Sequence, residues 1–210
     1  MYLPAAFEDQ RSEFVAEFLA ANPLAQLVTV TAAGLVANPL PLIYQPAPGA
    51  PGALLGHVAR ANPVWSQSLL DVEVLAIFTG AGSYVSPTWY PSKAEHGKVV
   101  PTWNYETVHI RGSLVIHDDR AWKRALVTQL TDVHERSSAR PWAITDAPPE
   151  YIDAMLNAIV GIEVRITSVQ AKRKLSQNRP PADIAGVVEN LSRSDGGAAQ
   201  LAARMHTLFD

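Results

Sequence analysis

Four short segments carry residue types suited to binding as well as packing. In Gly56-His57-Val58-Ala59-Arg60-Ala61-Asn62-Pro63-Val64-Trp65, a strand-like run ends near an arginine and a helix start follows. Asparagine is a favourable N-cap and proline suits the first helical position. The pattern therefore sets a cation beside free N–H groups and a positive helix end, which suits a phosphate. An ordinary strand–loop–helix connection with a surface arginine reads the same way. Tyr84-Val85-Ser86-Pro87-Thr88-Trp89-Tyr90 puts aromatics beside hydroxyls in a proline-bounded loop, able to flank a planar ring, plug a core or meet a second subunit. Val99-Val100-Pro101-Thr102-Trp103-Asn104-Tyr105 alternates aromatic and polar residues just before a long strand. Exposed indoles are costly, so Trp89 and Trp103 call for cover from core, partner or ligand. Lys172-Arg173-Lys174-Leu175-Ser176-Gln177-Asn178-Arg179 sets four cations within eight residues. It reads as a phosphate clamp, a nucleic-acid contact or a solvated basic turn.

Other chemistries are missing. With no cysteine there is no thiol catalysis, disulfide, iron–sulfur cluster or Cys-based zinc site. No GxGxxG, P-loop or GxSxG motif occurs, and His134-Glu135 lacks the second histidine of a zincin. His109 and His117 share a strand face, but at ~3.3 Å per residue they stand ~26 Å apart, too far to share a metal.

The elements that must position these segments follow from periodicity. Residues 8–21 read as an amphipathic helix stopped by Asn22-Pro23. Residues 26–31 and 35–44 read as two strands around an Ala-Ala-Gly turn, with Pro39 and Pro41 fitting an edge or an irregular strand better than a central one. Residues 45–52 read as a proline-rich loop, 53–58 as a strand, and Asn62-Pro63 as a helix start. Residues 72–78 form an apolar strand, and Gly80-Ala81-Gly82 is expected to turn the chain into 84–86. After an irregular stretch, Thr107–His117 is the clearest strand, with Val108, Ile110, Leu114 and Ile116 on one face. A helix capped by Asp118 or Asp119 runs to about Arg136 with an inner stripe of Trp122, Leu126, Leu130 and Val133. Residues 151–159 form a helix expected to close at Gly161 in the left-handed conformation, and 162–169 a last strand. Residues 180–210 read as a helical tail broken at Asp195-Gly196-Gly197. Short strands follow one another without a βαβ rhythm. That favours an antiparallel barrel with peripheral helices, class α+β or mainly β.

The chain has 210 residues, 48% apolar and 18% charged, enough for a sizeable core. Its net charge of -3 shows no general attraction to DNA. Neither a secretory leader nor a run of the ~20 apolar residues needed to span a bilayer is evident, so a cytoplasmic location is expected.

Taken together, the segments resemble the PaiB family of FMN-binding negative transcriptional regulators. Met1-Tyr2-Leu3-Pro4 with Phe7, the run from Gly56 to Pro63, Phe78-Thr79-Gly80, Tyr84-Val85-Ser86-Pro87 with Trp89-Tyr90, Val100 to Tyr105, Val160-Gly161-Ile162-Glu163 and Lys174 to Arg179 carry the likeness in order. Asn38-Pro39 departs from it, standing where more strand-like residues are expected. The resemblance implies an FMN-binding split β-barrel over residues 1–179, with the 180–210 tail packed on it. It also implies a homodimer with flavin at the subunit interface. His57, Val58, Ala59, Arg60 and Asn62 would hold the phosphate, with Arg60 as its ion partner. Ser86 and Trp89 would lie near the ribityl chain or ring. Trp103 and Asn104 would reach the flavin from the same or the partner subunit. Lys174, Gln177 and Asn178 would bond the ring edge or the phosphate. The implied function is negative regulation of transcription, acting indirectly, since no helix carries a basic stripe and direct DNA binding is not expected. An FMN-dependent oxidoreductase resembling flavin reductases or pyridoxamine-phosphate oxidases is the alternative, and no residue stands out as a general acid or base.

Overall fold

A computed structural model describes residues 1–209. Among them, seven strands form one sheet in the order β2-β1-β5-β6-β7-β4-β3. The strands are β1 (Leu24–Thr31), β2 (Gly34–Pro41), β3 (Ile43–Ala47), β4 (Ala50–Ala59), β5 (Val74–Val85), β6 (Thr102–His117) and β7 (Ile159–Lys174). The helices are α1 (Ser12–Ala21), α2 (Val64–Gln67), α3 (Ser92–His96), α4 (Arg120–Glu135), α5 (Pro149–Asn157), α6 (Pro181–Ser192) and α7 (Gly197–Phe209). None is long and apolar enough to cross a membrane.

Two compact units are distinguishable. One comprises Met1–Phe18, Thr79–Val108 and the described residues from Gln170 onward; the other comprises Leu19–Phe78 and His109–Val169. In the first, α6 and α7 bury Val187, Leu191, Leu201 and Met205 against Val85, Tyr90 and Leu175. In the second, Ile43 and Leu55 pack on Leu126 and Leu130 of α4.

The edge expectation for Pro39 and Pro41 holds, because β2 is an outer strand whose free side needs no N–H donors. Asn38-Pro39 is regular strand all the same, pairing with Leu27 and Gln26 of β1. Residues 45–52 are not a loop. They build the β3–β4 hairpin at the other edge, where a register shift between Gln45 and Ala47 accommodates Pro46. Gly80-Ala81-Gly82 does not turn the chain but lies inside the continuous β5. Glycine is needed there for space: a Cβ at Gly80 would fall 2.7 Å from the Phe18 ring. Gly161 is likewise no helix cap. Helix α5 ends at Asn157, and Gly161 sits in β7 where a Cβ would lie 2.1 Å from the Trp122 ring. The helix opened by Asn62-Pro63 is a single turn, and Val133, expected on the inner stripe of α4, is exposed. Asp119 caps α4, accepting from the Trp122 N–H at 2.8 Å. The tail breaks where expected, between α6 and α7.

Candidate functional site

In the first unit, the beginning of β6 and the end of β7 bring Trp103 and Lys174 together. The Lys174 ammonium donates to the Thr102 hydroxyl at 2.6 Å and to the Trp103 carbonyl. It also lies 5.9 Å from the centre of the Phe7 ring. Among the described residues no carboxylate pairs with it, and burial, reinforced by Lys172 and Arg179, pulls its pKa below the usual lysine value. Trp103, whose carbonyl accepts from Lys174, is 58% exposed, and its indole meets Tyr84 edge-on at 6.3 Å. A half-buried cation held only by neutral oxygens, on a segment that also carries uncovered aromatic surface, favours an anionic ligand with a planar ring.

The neighbouring candidates brace this arrangement. Asn104 is fully buried, and its Nδ2 donates to the Ser176 hydroxyl at 2.9 Å. Ser176 adopts a left-handed φ of 68°, a costly conformation for a residue with a Cβ. Gln177 clasps the same turn, its Oε1 accepting from the Leu175 N–H at 2.7 Å and its Nε2 donating to the Arg173 carbonyl at 2.5 Å. Asn178 is exposed. The motifs containing Asn104 and Ser176 thus meet in space and fix one turn. Ser86 caps a short 3-10 turn, accepting from the Thr88 N–H at 3.2 Å, and Trp89 packs half-buried on the α6–α7 core. Tyr90 is buried and Tyr105 half-buried, so of Trp89, Tyr90, Trp103 and Tyr105 only Trp103 is exposed.

The remaining candidates lie in the second unit, where β4 runs into α2. The Arg60 guanidinium grips both oxygens of Asp118, at 3.0 and 2.5 Å, and donates to the carbonyls of Asn157 at 2.7 Å and Ile159 at 3.1 Å. Its charge therefore already has a counter-ion. Arg60 and the buried Lys123 together hold the Asp118 carboxyl far below the usual range. The Asn62 side chain accepts from the Val64 N–H at 3.0 Å and donates to Asn38 at 3.0 Å. Val58 points into the core and Ala59 outward. Burial keeps His57 below the ordinary imidazole pKa, and its Nδ1 is buried without a partner.

One cluster escaped the sequence reading. Glu106, 2% exposed, accepts from Arg173 at 2.7 Å and from Arg204 of α7 at 3.1 Å, and Arg173 also reaches Asp9 at 3.2 Å. The signal was the alternation: Glu106 is in phase with the buried Asn104, Val108 and Ile110. Of the basic run, Arg173 serves this network, Lys172 donates to the Tyr2 carbonyl at 3.1 Å, and Arg179 lies over the Tyr90 ring at 4.9 Å.

A family model described as "Putative FMN-binding domain" matches residues 1–168. The chain belongs to this FMN-binding family. Over 207 residues, 98% of this chain and 96% of the relative, it is 30% identical to the protease synthase and sporulation protein PAI 2 of Bacillus subtilis. An uncharacterised protein of Aspergillus fumigatus is 29% identical over 92% of this chain and 91% of its own. The flavocytochrome Anf3 of Azotobacter vinelandii superposes with a TM-score of 0.58 at 15% identity, covering 85% of this chain and 75% of that one. The FAD and heme binding protein of Mycobacterium smegmatis gives 0.56 at 18%, covering 85% and 78%. The fold of this FMN-binding protein is accordingly the flavin-binding split barrel, and its cofactor is FMN. The Lys174–Trp103 arrangement fits such a group, since FMN joins a planar ring system to a phosphate.

Proposed function

We propose that this FMN-binding protein works as a cytoplasmic homodimer that influences transcription without gripping DNA itself. The carrying observation is Lys174, a half-buried cation with no carboxylate partner among the described residues, held to the backbone of the exposed Trp103. In this reading Lys174 bonds the phosphate or ring edge of the flavin and Trp103 covers one side of the ring. Asn104, Ser176 and Gln177 hold the turn that aims the lysine, and Asn178, Ser86 and Trp89 are taken as further flavin contacts. In the other unit, the β4–α2 turn, His57 to Asn62, offers N–H groups suited to a phosphate, and Arg60 would turn to one only by releasing Asp118. FMN supplies the redox chemistry when bound; these residues bind and orient it.

A two-fold partner seated over Tyr84, Val100 and Trp103 would cover apolar surface left open in one subunit. The indirect route to transcription rests on charge. Tight DNA binding needs several uncommitted cations on one surface. Here Arg173 and Arg204 serve Glu106, and Arg193 pairs with Glu189. The Bacillus relative, named for protease synthesis and sporulation, fits a role in controlling a cellular programme. The test is fluorescence anisotropy with promoter DNA at physiological salt, using FMN-loaded protein whose mass is followed by light scattering. The expected result is a mass twice the 22.7 kDa subunit and no specific binding at nanomolar concentration. Tight specific binding, or a monomer, would overturn the proposal. Rapid FMN-dependent oxidation of NADH or NADPH would instead favour an oxidoreductase.

A further inference from the structure

A second binding region lies within the unit that holds the β4–α2 turn, and it shares His57 with that turn: the turn offers backbone N–H groups, while the side chain lines the cavity. Helix α4 turns two faces to its surroundings. Leu126 and Leu130 seal onto the sheet, whereas Val127 and Thr131, one position further round, face α5. Helix α5 answers with Ile152 and Leu156 from its buried side. The two helices do not close on each other there. They leave a cavity of about 340 Å³, at the small end of the range for ligand pockets. Its mouth is formed by Tyr151 and Met155 of α5 and by Trp142. All three are exposed, Tyr151 at 55%, an expensive way to leave large apolar side chains in water. Trp142 is held in place by its backbone N–H, which donates to the Glu135 carboxylate at 3.0 Å.

His57 enters this wall from β4, and Thr131, Tyr151 and Trp142 add a hydroxyl, a phenol and an indole N–H to the lining. The His57 Nδ1 is buried without a partner. Leaving a buried N–H unpaired costs more than leaving a bare ring nitrogen, so the proton belongs on Nε2. Burial keeps the ring neutral at pH 7. Among the described residues, no lysine, arginine, aspartate or glutamate lines the cavity. We infer that this cavity between α4, α5 and the end of β4 binds a small uncharged ring compound, anchored through a carbonyl or similar acceptor by the His57 Nε2–H.

Three methionines, Met1, Met155 and Met205, permit a direct test in FMN-loaded protein with ¹³C-labelled methionine methyls. Met155 borders the cavity, while Met205 lines a different apolar groove, between α6 and α7. Acetophenone, a ring with one carbonyl acceptor, is titrated beside α-methylstyrene, its near-isostere without the acceptor. A saturable shift of the Met155 methyl is expected, with the Met205 methyl unmoved and acetophenone binding about fivefold tighter than α-methylstyrene. Val127→Phe should fill the cavity and abolish the shift, with unchanged circular dichroism and flavin content confirming its fold. Should that variant fail to fold, the comparison of the two probes in the native protein decides alone. No saturable Met155 shift, equal affinity for the two probes, or a response confined to Met205 would overturn the inference.

Discussion

Replacing Lys174 by methionine should move two properties in opposite directions. Methionine keeps the unbranched stem and removes the charge. In the protein without flavin, the ammonium is partly desolvated and compensated only by the Thr102 hydroxyl and the Trp103 carbonyl, both within reach of water. Removing the charge ends that desolvation cost, so the stability of the flavin-free protein should stay level or rise, by about 0.5 kcal/mol at most. A hydrogen bond from a charged group to a ligand contributes about 1.5–3 kcal/mol in a dry site. Lys174 is half-exposed, and screening reduces this to about 1 kcal/mol, or roughly fivefold in FMN affinity. Linkage gives the same sign. With the folded-state pKa below the unfolded value of 10.5, the unfolded chain binds more protons between the two. Stability of the flavin-free protein therefore rises with pH through that window, and the slope should vanish in Lys174→Met. Calorimetric titration with FMN and urea denaturation of the flavin-free form measure both quantities. Unchanged affinity would remove Lys174 from the site. A stability loss above 1 kcal/mol would make it a structural cation and refute the reasoning.

Three further perturbations probe the frame. Glu106→Gln leaves Arg173 and Arg204 facing a neutral amide in a buried setting and should cost about 3 kcal/mol in urea denaturation, the lower end for breaking a buried ion pair, because Asp9 still partners Arg173. Gly161→Ala drives a Cβ into the Trp122 ring, itself stacked on His117 at 4.0 Å, and should lower stability by about 2–3 kcal/mol in thermal denaturation. His57 and His109 are both held below the ordinary imidazole value of 6.5, chiefly by burial. The unfolded chain takes up protons first, so stability should fall as pH drops below 6.5. Denaturation midpoints from pH 7.5 to 5 should show that fall, and His57→Gln should flatten it.

Local pattern and motif were enough to mark out much of this protein. The alternation through Val108, Ile110 and Leu114 and the helix stripe of Leu126 and Leu130 reflect side chains that must face a core whatever the surrounding topology, and the break before α7 reflects the left-handed backbone open to Gly196. The motif set pointed to the FMN-binding split barrel because runs such as Val100 to Tyr105 and Lys174 to Arg179 keep their chemistry in one dimension. Tertiary structure decided what each residue does with that chemistry. Gly80 and Gly161 read as punctuation because glycine permits turns, yet both are needed for close approach by rings distant in sequence, Phe18 and Trp122. Residues 45–52 read as a loop because proline disrupts interior strands, yet they form the β3–β4 hairpin, with Pro46 on the edge strand β3, where a missing N–H costs little. Equal-looking cations diverged for the same reason. Arg60 and Arg173 found carboxylates at Asp118 and Glu106, 58 and 67 residues away, while Lys174 found only neutral oxygens. Whether a charge is spent or free depends on which partner the fold brings within about 3 Å, and sequence spacing carries no measure of that distance.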